Sequence, residues 1–505
     1  MSGTHNFDCN NMVSQIKSDN LNFLNKQVTQ WREVINKKFT HDQKPHTTIL
    51  FGGMTILQDK LVSVALQSLG ERYVCLPNAD FEAFQIGKAY GNKAQCNPTY
   101  FTVGNLIKYL QNLRDKDGLS TKEIIDNYIY VTSGGCGPCR FGMYLTEYRK
   151  ALRDAGFEGF RVMNFEHDKG VFQSAEEQSA LDFTPKFFIT LTKAIVIGDL
   201  LNILGYKLRP YEIKKGSVDQ ALKKCEEIVA QAFIQKRSLI KALYKCKKEL
   251  SLIKLDRTIQ KPKVLITGEF WAALTEGDGN YNLHRFLESQ GAECVPQPLI
   301  NRLMLSLWEA KDELEQVHIL ENRSAKGIDF SALKSRFLIF VGKWALIAHI
   351  KLYSKALGLH DYEIPNMEKL AKLAQEYYPM QSRGGEAHLE VAHLLESIKE
   401  NIAHLVISVK PFGCMPSSSV SDGIQSLVLS HFPEANFLSV ETSGEGAVNF
   451  YSRVQMALFK AKQLAQEEFK SLKIPDKIPA KINKYTYQPK GKSAGSAAVL
   501  MESIS

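Results

Sequence analysis

A chain of 505 residues, 44% apolar and 23% charged, has room for about two or three domains and the composition of a folded globular protein, which excludes a disordered chain. Its net charge of +9 is thin over that length and forms no basic face interleaved with aromatics, so nucleic-acid binding is not expected. The opening MSGTHNFDCNNMVSQIKSDN has no apolar signal segment, so a cytoplasmic protein is expected, where nine cysteines serve metals or cores better than disulfides.

Residues 1–45 are polar, with a helical patch over 21–35, and read as an arm. Regular structure is expected from Thr47. TTILFGGMT reads as a strand and glycine turn, QDKLVSVALQSLG as a helix and ERYVCLP as a second strand, a βαβ unit. AQCNPTYFTVGNL then brings Cys96 to the start of a helix, with Pro98 suited to the first turn. YIYVTSGG is a buried strand running into Cys136 and Cys139. RFGMYLTEYRKALRDAG is an amphipathic helix closed by Gly156, and FRVMNFE completes a first α/β lobe over 46–181. Residues 182–260 read as a helical segment, in which Cys225 and Cys246 are expected to be structural.

A second α/β lobe is expected over 261–470. KVLITGEFW, AECVPQPL, LVISVKPFGC and NFLSVETS supply its strands, and helices fill the stretch from Leu303 to about Tyr378. Its LESQGAECVPQP echoes LQSLGERYVCLP of the first lobe. Residues 471–505, rich in Pro, Lys, Gly and Ser, read as a mobile basic tail. Two apolar stretches, FFITLTKAIVIGDLLNILGY and FLIFVGKWALIAHI, are interrupted by Lys193 and Asp199 and by Lys343, and the second is short. Both read as buried helices, with no membrane association.

The chemistry centres on cysteines. Cys136 and Cys139 form a Cys-x-x-Cys pair at a helix N-terminus, where N–H groups and the helix dipole favour thiolate; the pair suits a metal or a redox disulfide. Cys96 and Cys414 stand near strand ends or helix starts, where open α/β sheets place ligand sites. Three such arrivals point to a cluster site more than to a disulfide, with zinc or a redox pair as the other readings. Cys75 ends a strand and reads as a core residue. His388 and His393 are five apart on one helix, the wrong spacing for two ligands on one face, and His404 is expected to end a helix. The turns Gly52-Gly53, Gly384-Gly385 and Gly444-Glu445-Gly446 fit no phosphate-loop or dinucleotide fingerprint, so no ATP or NAD site is expected. Glu269 and Glu386 follow glycine turns and read as capping or surface carboxylates ahead of an acid or base.

CNPTYFTVGNL, GGC and CRFGMY around the pair, YRKALRDAGFE, IGDLLNILGYKLRPYEIKKG, GGEAHLEVAHLLESI and KPFGCMPSSSVSDGIQSLVLSHFPEANFLSVE together resemble the 2-hydroxyacyl-CoA dehydratase and benzoyl-CoA reductase family, in particular the C-terminal cluster-binding region of large acyl-CoA dehydratase activases. The resemblance covers about 47–462. It implies two Rossmann-like lobes with parallel sheets, and an iron–sulfur cluster between them, [4Fe–4S] or in one branch a double cubane. Carried onto this chain, it makes Cys96, Cys139 and Cys414 the ligands. Cys136 departs from the pattern; it completes a closed four-thiolate site, suited to electron transfer, or stays free and leaves one iron open to substrate. A double cubane needs more thiolates than these four. The resemblance also implies a partner, an ATP-dependent activator with its own iron–sulfur cluster, since this chain carries no activator ATPase segment. It further implies an acyl-CoA substrate that loses water after one-electron reduction, and a dimer is expected. A cluster scaffold or electron relay without substrate chemistry is the alternative.

Overall fold

The computed structural model describes residues 39–134, 139–166, 181, 183–256, 260–322, 330–360, 362–378 and 385–471. Most of the expected arm, the tail beyond 471, Cys136 and Gly384 lie outside them.

Short apolar runs ending at glycine or proline build two sheets of the same design. The first holds Thr48–Phe51 (β1), Tyr73–Cys75 (β2), Tyr128–Gly134 (β3) and Arg161–Glu166 (β4), all parallel in the order β2-β1-β3-β4. Between the strands run helices Ile56–Gln67 (α1), Phe81–Tyr90 (α2), Asn97–Asp115 (α3), Thr121–Asn127 (α4) and Tyr144–Asp154 (α5). A helical segment follows, Pro185–Leu208 (α6), Ser217–Ile234 (α7) and Leu239–Ser251 (α8). The second sheet holds Lys263–Gly268 (β5), Glu293–Val295 (β6), Leu405–Pro411 (β7) and Phe437–Thr442 (β8), parallel in the order β6-β5-β7-β8. Its helices are Phe270–Leu274 (α9), Leu283–Ser289 (α10), Leu299–Asn322 (α11), Phe330–Leu357 (α12), Met367–Ala374 (α13), Ala387–Glu400 (α14), Asp422–His431 (α15) and Ala447–Ser471 (α16). The expected pair of α/β lobes, with parallel sheets and a helical segment between them, is therefore present.

The sequence echo between the lobes has a structural counterpart. Gly70 (φ 101°) and Gly291 (φ 89°) each take the left-handed conformation just past α1 and α10, and β2 and β6 follow at once. In each sheet the strand order reverses beside the first strand, between β1 and β3 and between β5 and β7. Loops leaving the carboxyl ends of those strands diverge there and open a crevice, the place where such sheets bind ligands.

One apolar core runs beneath both sheets. It joins Ile49 and Leu61 of the first lobe, Leu200 and Leu204 of α6, Leu243 of α8, and Leu265, Val391 and Val406 of the second. The helical segment thus covers a face of each lobe. At its centre Asp199 on α6, 2% exposed, receives N–H groups of Leu299 (3.1 Å) and Ile300 (2.7 Å) and the Gln58 amide (2.8 Å), tying α1, α6 and α11 together. Burial outweighs these three donors and pushes its carboxyl up to about 7. Removing it strands the buried donors, so Asp199→Ala should cost about 2–4 kcal/mol in urea unfolding. Because the folded value exceeds the unfolded one, this carboxyl's contribution is present at low pH and is lost as pH rises through about 7. Urea midpoints at pH 5 and pH 8 should therefore diverge more in the wild type than in Asp199→Asn.

The two apolar stretches part company. The helix containing Phe187 has 61% of its most apolar window buried, as expected of a core helix, but the Lys334–Leu357 stretch has 22%. The reading of the second as a buried helix is therefore corrected. Lys343, in the middle of the stretch, turns toward the body and meets Glu368 at 3.5 Å, leaving an apolar outer face. His404 is corrected too: α14 ends at Glu400 on left-handed Asn401, and His404 lies beyond it. There its Nδ1 accepts the Lys263 N–H at 2.9 Å and its Nε2 meets Glu468 at 2.7 Å, fixing the entry to β5 and β7.

Candidate metal centre

Three cysteine loops from two lobes meet where the sheets open. Cys96 caps α3, its backbone extended and Pro98 in the first helical turn. Its buried sulfur lies 3.1 Å from Thr99 Oγ1 and 3.1 Å from Tyr144 Oη. Helix α3 is docked on the second lobe at this end, since the Asn97 N–H donates to Phe412 O (3.0 Å) and its amide to Thr442 O (2.9 Å).

Cys414 comes from that second lobe. After β7 the chain turns through Gly413 at φ 76°, so tightly that a Cβ there would lie 3.0 Å from Gln95 O and 3.1 Å from Cys96 Cα. Only glycine suits both the dihedral and the contact. The buried Cys414 sulfur reaches Ser417 Oγ at 3.3 Å, and Ser417 donates to Glu390 at 2.8 Å. Cys139 enters from β3, the counterpart of β7, and heads a short helical turn at Arg140–Met143. The Arg140 guanidinium donates to Ala94 O, fastening this loop to the one that leads into Cys96.

The thiols are electrostatically shielded from ionising. Burial raises all three, Cys139 to about 12, and the Glu269 carboxylate adds to the rise in each case. Desolvation at these depths opposes the thiolate that a helix N-terminus favours. Ionising any of these thiols takes a compensating positive charge close by.

Glu269 belongs to the wall of this centre. Gly268, at φ 123°, packs so closely that a Cβ would sit 2.1 Å from Val409 O, and this turn delivers Glu269 from the end of β5. Its carboxylate caps α9, accepting from Trp271 (3.1 Å) and Ala272 (2.9 Å), as a capping carboxylate should. The group is half-buried, yet desolvation and the neighbouring Glu386 push it up to about 8. Glu386 in turn meets Arg302 at 3.4 Å. The capping reading of Glu269 holds, but its nearness to all three thiols was not visible in sequence.

Other cysteines stand apart. Cys75 ends the edge strand β2, beside Ser63 and Asp59. Cys225 and Cys246 are fully buried between α7 and α8, each sulfur 3.7–3.8 Å from the other's carbonyl oxygen. They are structural, as expected, though the hairpin pairs them in a way their 21-residue separation hides.

Among the described residues no three His, Cys, Asp or Glu side chains close on a point one metal ion would occupy. Cys136, the fourth candidate thiol, lies outside those residues. Two cavities here are small, about 30 Å³ between Phe270, Leu274, Leu389 and Glu386 and about 20 Å³ by Gly53, Asp59 and Trp271, while a larger one of about 180 Å³ lies by Ser443, Asn449 and Arg453. Neither of the two small ones takes an acyl chain as it stands.

No model of a known protein family matches the chain, and a search of curated proteins finds no relative.

Proposed function

We propose that the chain is an iron–sulfur protein of the 2-hydroxyacyl-CoA dehydratase type, receiving low-potential electrons from an ATP-dependent activator. Cys96, Cys139 and Cys414 would hold a [4Fe–4S] cluster, with Cys136 as a fourth ligand or free. One observation carries this reading: two loops from equivalent strands of the two sheets, β3 and β7, bring thiols to the N-terminus of α3, with Gly413 against the Cys96 backbone. The donor set fits, being soft sulfur on separate loops, and a cube separates its thiolates more widely than a single ion does.

When bound, the cluster would supply one-electron reducing chemistry and, at a corner without a thiolate, a Lewis-acidic iron. The chain supplies the surroundings. Tyr144 and Thr99 offer hydroxyls to the Cys96 sulfur, which tunes potential upward, and burial keeps water away. A single cubane suffices for these ligands; a double cubane needs thiolates beyond them.

The small size of the two cavities by Glu386 and Asp59 favours a second reading, a cluster-carrying electron relay without substrate chemistry. Reduction by an activator in the presence of a panel of 2-hydroxyacyl-CoA and aromatic acyl-CoA thioesters separates the two. Turnover of any thioester, lost in Cys414→Ala, is the result expected of the enzyme. Reduction without turnover across the panel assigns the relay.

A further inference from the structure

Helix α12 carries a feature that the cluster does not use. Its outer face runs from Phe337 to Leu352, a stretch of about 24 Å at helical rise, with Phe337 64%, Phe340 58% and Trp344 54% exposed beside Leu338 and Val341. On a helical wheel the exposed positions from Lys334 to Lys355 cover more than half the circumference, far wider than the seam of a coiled coil. No exposed charge falls inside the apolar stretch except Lys351 near its end; exposed Lys334 precedes it and exposed Lys355 follows it. The helix has five Lys or Arg residues and no Asp or Glu.

Charge decides what covers this face. Pairing with a second copy about a two-fold axis at its middle would set Lys334 opposite Lys355 and Lys351 opposite Leu338, so like charges meet and a lysine faces an apolar side chain. An anionic lipid surface suits the same pattern: aromatic and aliphatic side chains enter the headgroup boundary while lysines at both ends meet phosphate and carboxylate. Lys343 does not oppose this, because its ion pair with Glu368 holds α12 along the body. The helix therefore lies on a surface and does not cross it.

We propose that the exposed face of α12 docks the protein onto anionic membrane surfaces. The test is co-sedimentation of the full chain with vesicles of phosphatidylcholine, with and without phosphatidylserine, alongside a Phe340→Ser/Trp344→Ser variant and a Lys351→Glu/Lys355→Glu variant. Both pairs are exposed, and circular dichroism checks that folding is intact. Binding to the phosphatidylserine vesicles, weakened by salt and lowered about tenfold or more in either variant, is expected. Failure to bind either vesicle, or binding that both variants leave unchanged, overturns the proposal. So does a Trp344-dependent dimer that does not bind lipid, which would assign the face to a second copy. The readout needs no iron, so its outcome is independent of the cluster.

Discussion

Gly104→Leu should destabilise the first lobe by about 3–5 kcal/mol and strip most of the iron from protein reconstituted without oxygen. Helices α2 and α3 cross in backbone contact at two glycines. A Cβ at Gly104 would sit 1.8 Å from Ala83 O and 2.5 Å from Gly87 N, and one at Gly87 would sit 1.9 Å from Tyr100 O. Backbone atoms cannot swing aside as a flexible side chain does, so even alanine forces the helices apart. Because Cys96 caps α3, the displacement reaches the metal centre as well as the core around Phe84 and Phe101. Gly342 on α12 provides the control. Nothing lies within 4 Å of a Cβ there, and Gly342→Ala should be neutral or slightly stabilising. Urea unfolding of the two variants measures the contrast, and equal midpoints would refute the close-crossing argument.

Cys96→Ala and Cys414→Ala should each abolish most cluster binding, although the two residues are 318 positions apart and belong to different lobes. Each sulfur would anchor one corner of a shared group, so losing either leaves an iron without its ligand in a buried site. Cys225→Ala should leave the visible absorption unchanged, since that thiol packs against α8. The measurement is the absorbance of anaerobically reconstituted protein, normalised to chain concentration. Retention of full absorbance by Cys414→Ala would show that the second lobe contributes no ligand.

The strands were legible because each is a short apolar run stopped by a turn, as in TTILFGG, YIYVTSGG, KVLITGE and LVISVKP. Their order was not, because pairing β1 with β3 and β5 with β7 is a long-range choice that no local pattern records. The cysteines could be placed at strand ends for the same reason as the strands. What brings Cys96 to Cys414 could not be read: it depends on the left-handed turn at Gly413 and on the Asn97 side chain reaching Thr442 O.

Hydropathy also misled in one place. The apolar stretches of α6 and α12 are alike enough in composition to suggest the same fate, but α6 is sandwiched between the lobes while α12 packs by a narrow side. The deciding contact, Lys343 with Glu368, joins separate helices and leaves no trace in either one's pattern. The thiols show the same limit in electrostatics. A helix start is visible in sequence and suggests an ionised cysteine, whereas burial and the approach of Glu269, which oppose that, arise only on folding.

Iron and acid-labile sulfide, measured per chain on protein purified without oxygen, test the central claim most directly. About four of each is predicted, falling to a small remainder in Cys139→Ala. Protein that is correctly folded yet holds no iron, or holds zinc in its place, would contradict it.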